Sequence, residues 1–138
     1  PSGLLSVPGR GEERYDSLSV RVQREFPGAL VVHRLDMSTS GLMLMALSAK
    51  AQSVMGRLFQ QRQVNKSYLA VVAGCPEQPS GEVDLPLITD WPNRPRQKID
   101  HEHGKPALTR YQVQEYDEST DTSRILLEPH PHLQRLQQ

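Results

Sequence analysis

The stretch from Gly74 to Lys105 sets the first limit on what this chain can fold into. It holds five of the eleven prolines and is dense in charge, with Val83, Leu85, Leu87 and Ile88 to anchor it. Proline fixes φ and donates no amide hydrogen bond, so neither a long helix nor a central strand can run through such a segment. We read it as a long excursion carrying one or two short strands. Long ordered excursions are often functional.

Regular structure is therefore expected on either side. On the N-terminal side, Leu4, Leu5 and Val7 suggest a short strand between the turn signals Pro1-Ser2-Gly3 and Pro8-Gly9. Asp16 reads as a helix N-cap. Leu18, Val22 and Phe26 then fall on one helical face, and Pro27-Gly28 ends the helix. Ala29–Val32 suggests a strand. Leu42–Leu47 is an unbroken apolar run that fits a strand buried on both faces. Ser48 can cap a second helix with Ala51, Val54, Met55, Leu58 and Phe59 inward and Lys50, Arg57 and Arg62 outward. Lys66–Ala73 alternates through Tyr68, Ala70 and Val72 as a strand does. Beyond the excursion, Ala107–Tyr116 and Arg124–Leu127 read as a hairpin turning at Asp117–Thr122, with Tyr111 and Val113 on opposite faces. The expected class is α+β: a mixed, largely antiparallel sheet with flanking helices.

Composition narrows the function classes. With 138 residues the chain has the length of one domain, and 36% hydrophobic residues promise a modest core. Sixteen basic residues balance sixteen acidic ones. That excludes a uniformly basic nucleic-acid coat and leaves room for a local patch. A single cysteine, Cys75, excludes a disulfide framework within the chain and fits a reducing, cytoplasmic compartment. No apolar run approaches the ~20 residues of a membrane span, and no signal peptide is visible. We expect a cytoplasmic monomer with no membrane partner.

The densest polar cluster is His33-Arg34-Leu35-Asp36-Met37-Ser38-Thr39-Ser40-Gly41, set between two apolar runs. A carboxylate at a strand end beside an arginine is held ionised and aimed from a rigid base, which suits a nucleophile or general base. A strand-to-loop turn with a surface Arg34–Asp36 pair would carry the same pattern.

His33-Arg34-Leu35-Asp36 with Thr39-Ser40-Gly41 resembles the H-R-L-D-x-x-T-S-G signature of the RluA-type pseudouridine synthases. Other segments follow in that family's order. Pro1-Ser2-Gly3 resembles the end of K-P-S/A-G, Lys66–Gly74 resembles K-x-Y-x-A-x-V-x-G, and Gly104–Tyr111 resembles G-K-x-A-x-T-x-Y. Asp90–Lys98 is similar to a more specialised stretch of members that act on both 23S rRNA and tRNA. The resemblance runs over residues 1 to about 128 and implies the N-terminal part of the pseudouridine synthase catalytic fold. It implies isomerisation of uridine in 23S rRNA and tRNA stem-loops, with no cofactor and no metal. Asp36 would be the nucleophile, and Tyr68 would pack against the flipped uracil and assist proton removal. His33, Arg34 and Thr39 would lie against RNA. A uridine in structured RNA must leave the stack to be reached, and a tyrosine offers it a flat face and an edge hydroxyl.

The tail departs from the family. Where the family continues G-R-T/S-H-Q-L-R-V-H, with a basic residue that pairs with the catalytic aspartate, this chain reads His130-Pro131-His132-Leu133-Gln134-Arg135-Leu136-Gln137-Gln138. We therefore expect residues 1–138 to be a partial catalytic domain with a non-matching tail over 129–138, as truncation or a shifted reading frame would produce. Its alternative function is that of a catalytically inactive RNA-binding chain. Arg94, Arg96 and Lys98, beside Trp91, form the best basic cluster for RNA contact. His101-x-His103 and His130-x-His132 have no further ligands at a metal-site spacing, so no metal is expected.

Overall fold

The computed structural model describes residues 1–94 and 96–129. The chain divides after Gln63 into two compact units.

The first unit is built on two helices and a two-stranded ribbon. Helix α1 spans Leu18–Glu25. Its cap is Ser17, in extended conformation, whose Oγ accepts from the Val20 amide at 3.4 Å. The expected cap, Asp16, stands one residue too early and instead pairs with Arg21 at 2.6 Å. Leu18 and Val22 face inward as expected. Phe26 does not: it lies at the C-cap with 57% of its surface exposed. Strands β1 (Leu30–Val31) and β2 (Met45–Ala46) pair antiparallel. Helix α2 (Ala49–Gln60) packs on this ribbon, capped by Ser48 Oγ accepting from the Ala51 amide.

The run Leu42–Leu47 is not a doubly buried strand. Only Met45 and Ala46 pair, and Leu42 and Leu47 are 94% and 70% exposed. Burial on both faces needs cover on both faces, and within this unit α2 is the helix that packs on the ribbon. The inward face of α2 is also turned from the expected one. Met55, Leu58 and Phe59 are half-buried, while Ala51 and Val54 are exposed. Gln52 takes an inward place because its Nε2 donates to the Val31 carbonyl at 2.8 Å. The expected strand at Leu4–Val7 reduces to one parallel bridge, Leu5 to Ser17.

The second unit is a four-stranded antiparallel sheet with a separate ribbon. Its strands are β3 (Tyr68–Ala73), β4 (Ser80–Asp84), β5 (Leu87–Thr89), β6 (Gln97–Ile99), β7 (Leu108–Asp117) and β8 (Thr122–Pro129). The order β3-β8-β7-β4 makes the main sheet, and β5-β6 makes the ribbon. The proline-rich excursion thus holds three short strands, one more than expected. Tyr68, Ala70 and Val72 alternate inward as anticipated, leaving Leu69 and Val71 exposed. Tyr111 and Val113 lie on the same face, opposite Leu127 and Ile125. Residues two apart on a strand share a face, so opposite faces were the wrong expectation. The Tyr111 ring covers Gly81, its cross-strand partner, where a Cβ would meet the hydroxyl at 2.8 Å. The buried apolar side chains among the described residues are Ala29, Ala46 and Ile125, so the core is thin in each unit.

At the foot of the β5-β6 ribbon, Gly104 packs against backbone on two sides. A Cβ there would run into the Asp100 carbonyl oxygen and stand 2.8 Å from the Pro86 carbonyl carbon. Neither obstacle can rotate away, so Gly104→Ala is expected to destabilise the chain by about 1–3 kcal/mol in urea unfolding. The matched control is Gly56→Ala in α2, where the added methyl meets nothing. It should be neutral or stabilising by up to about 1 kcal/mol. Equal effects at the two sites would refute the packing described for Gly104.

Candidate functional site

The Asp36 segment is held by the N-terminal residues of its own unit. Ser6 is buried, and its Oγ donates to the Leu35 carbonyl at 2.7 Å and accepts from the Leu35 amide at 3.0 Å. One hydroxyl thus satisfies both backbone groups of the residue between Arg34 and Asp36. The Gly3 amide donates to the Met37 carbonyl at 2.7 Å on the other side of Asp36. The N-terminal segment is in turn fixed to α1, because Leu18 and Ser19 donate to the carbonyls of Leu5 and Ser6. A turn closes the loop ahead, where the Thr39 amide donates to the Asp36 carbonyl at 2.9 Å.

His33 anchors the segment from behind. Its Nε2 accepts from the Leu44 amide at 2.8 Å, and its ring stacks on Phe59 with centroids 4.3 Å apart. Leu35 points inward, while Arg34 and Asp36 are exposed. Among the described residues no ion pair joins Arg34 to Asp36, so the pairing expected from their spacing is not what holds the carboxylate. It stands in solvent on a backbone clamped at Leu35 and Met37. Thr39, half-buried, follows three residues on. A fixed backbone under an exposed carboxylate leaves the group within reach of a ligand and limits how far it can stray.

Tyr68, Arg94, Arg96 and Lys98 belong to the second unit. Tyr68 opens β3, half-buried, opposite Leu127. The three cations lie on the β5-β6 ribbon, all exposed. Its tip is a single 3-10 turn, Trp91–Asn93, closed by the Asp90 amide donating to the Arg96 carbonyl and by Asn93 Nδ2 donating to the Asp90 carboxylate. Arg94 folds back so that its guanidinium lies 4.6 Å from the centroid of the Trp91 ring, and its Nε donates to the Trp91 carbonyl at 3.2 Å. At the other end, Leu87 and Lys105 exchange both backbone hydrogen bonds. The Asp100 carboxylate accepts the amides of His103 and Glu102, which hold it below the usual carboxylate range.

Four of the expected residues, His33, Arg34, Asp36 and Thr39, thus share one segment of the first unit. The other four share the second. Ser6 and the Trp91–Arg94 stack were not anticipated. Ser6 sits in a short polar-apolar stretch with no periodic signal, and its role depends on meeting residue 35 across 29 positions. Among the described residues no group of three His, Cys, Asp or Glu could hold a metal ion, and no helix is long and apolar enough to cross a membrane. His130 and His132, with the whole tail after Pro129, lie outside the described residues.

A mixed α+β chain with antiparallel sheets, a clamped aspartate in the first unit and a basic ribbon in the second is matched by one family profile. Described as RNA pseudouridylate synthase, that profile covers residues 1–131, and the chain belongs to this family. It is 54% identical over 129 residues to the Dual-specificity RNA pseudouridine synthase RluA of Escherichia coli K12, a match covering 94% of this chain and 58% of the relative. Against the protein of the same name from Vibrio parahaemolyticus it is 53% identical over 127 residues, covering 92% and 51%. The chain therefore spans little more than half the length of these curated relatives. Among solved structures, Human RNA Pseudouridylate Synthase Domain Containing 1 superposes with a TM-score of 0.71 at 27% identity, covering 92% of this chain and 60% of that one. Human RNA Pseudouridylate Synthase Domain Containing 4 shares the fold, with a TM-score of 0.68 at 23% identity.

Proposed function

We propose that the protein isomerises uridine to pseudouridine within structured RNA, with Asp36 as nucleophile. The observation that carries this reading is the clamped, solvent-facing carboxylate in a segment that matches the family signature. Supporting it are family membership and relatives whose printed names specify dual RNA specificity, from which we take 23S rRNA and tRNA stem-loops as the substrate class.

The chemistry balances without redox. The N1–C1′ glycosidic bond breaks, a C5–C1′ bond forms, C5 loses its proton and N1 gains one, so substrate and product have the same atoms. Asp36 attacks the nucleotide, or promotes formation of a glycal, so that the uracil detaches, turns and rejoins through carbon. Tyr68 packs on the displaced uracil and assists removal of the C5 proton. The target uridine is taken out of its stack at an energetic cost of a few kcal/mol, least in a loop. Arg34 contacts phosphate or fills the vacated place. Thr39 supports the same loop, and His33 contributes through its hold on Leu44 and Phe59. Arg94, Arg96 and Lys98 bind backbone phosphate, so affinity should fall with salt.

The test is an RNA stem-loop carrying tritium at C5 of its loop uridines. Isomerisation releases that tritium to water, and its release would support the reading. The span of the chain, little over half of its curated relatives, gives substance to a second reading, an RNA-binding chain without turnover. Salt-dependent binding of the stem-loop with no tritium release would favour it. Neither binding nor release would remove both.

A further inference from the structure

We propose that Trp91, at the tip of the β5-β6 ribbon, is a stacking platform for one unpaired RNA base. The inference deepens the RNA reading above and rests on it. Trp91 is 65% exposed, an unusual setting for the largest apolar side chain on a protein surface. It does not dangle. The 3-10 turn that carries it contains Pro92, the Asp90–Arg96 backbone bond closes the turn, and Asn93 is tied to Asp90.

Arg94 lies over one face of the indole and leaves the remaining surface of the ring to solvent. The guanidinium does two things there. It fixes the ring in one orientation, which lowers the entropy lost when a base stacks on it, and it brings positive charge beside that base. Arg96, just before β6, and Lys98 within it continue the charge, while the carboxylates of Asp90 and Asp100 are occupied within the ribbon by Asn93 and by backbone amides. A rigid aromatic flanked by cations matches a single-stranded nucleobase and its phosphates. A stacked duplex offers no free base face. Because every base has such a face, this contact selects unpaired nucleotides over paired ones and is tolerant of which base it meets.

Trp91 is the single tryptophan of the chain and reports on its own contact. The chain is titrated at low salt with an RNA stem-loop of unpaired uridines, an RNA duplex of equal length and heparin. The expected result is quenching of tryptophan emission by the stem-loop, with little change from the duplex or heparin. Trp91→Ala should weaken stem-loop binding by about 5- to 100-fold, leave heparin binding unchanged, and be largely rescued by Trp91→Phe. Stem-loop binding without quenching, or undiminished in Trp91→Ala, would overturn the platform and leave the phosphate contacts standing. If none of the polyanions binds, the RNA reading falls and the platform falls with it.

Discussion

Asp36→Asn, compared with the parent in a form of the protein active on stem-loop RNA, is expected to lower the rate of pseudouridine formation by at least about 10⁴-fold. Asparagine keeps the shape of the side chain and loses its charge and nucleophilic oxygen. The fold should hardly notice. Asp36 is exposed, and the bonds that fix its segment are made by the backbone of Leu35, Met37 and Thr39 and the hydroxyl of Ser6. A surface substitution of this kind changes stability by about 0.5 kcal/mol or less. RNA affinity should fall little, since the phosphate contacts are assigned to other residues. The prediction is thus a separation: rate lost, fold and binding kept. Turnover retained within tenfold of the parent would remove Asp36 from the mechanism. Unfolding by Asp36→Asn would instead mean that its carboxylate has a structural role absent from the contacts described.

What could be read from sequence follows how local the cause is. Helix α2 was legible because Ser48 and the apolar spacing lie within a dozen residues, and a serine cap acts three positions away. The β7-β8 hairpin was legible because alternation on both arms meets a short polar turn. The Asp36 segment was found through its signature, which is also local. What failed depends on cover supplied from elsewhere. Leu42–Leu47 has the composition of a buried strand, yet apolar composition cannot report whether a second layer packs on it. The cap of α1 is Ser17, immediately before Leu18, and Asp16 pairs with Arg21 instead; both are suitable cap residues, and propensity does not rank them. The excursion gained a strand because β5 and β6, three residues each, are too short to show alternation. On α2, Ala51 and Val54 have the composition of an inward face and are exposed, while Gln52 takes an inward place through one backbone carbonyl.

Ser6 is the clearest case of a structural support invisible in sequence, and it carries the second large prediction. Ser6→Ala removes the two hydrogen bonds at Leu35 and leaves the Gly3–Met37 bond as the remaining tie described between the N-terminal segment and the backbone that presents Asp36. Leaving the amide and carbonyl of a half-buried residue without their partner costs about 1–3 kcal/mol. A stability loss of that size alone would lower the folded fraction without changing how folded molecules react. Misplacement of the nucleophile acts differently. A shift of about 1 Å in a reacting group can cost roughly 100-fold in rate. The expected outcome is therefore a drop in kcat of about 100-fold per folded molecule, with KM nearly unchanged, because the residues proposed to bind phosphate are untouched. Single-turnover rates at saturating RNA, normalised to the folded fraction from a melt, make the distinction. Ser6→Thr retains the hydroxyl and should recover most of the rate. If Ser6→Ala lowers only the melting temperature while kcat per folded molecule stays at the parent value, the hydroxyl secures the fold and Asp36 is positioned by the Gly3–Met37 bond and the turn to Thr39 alone.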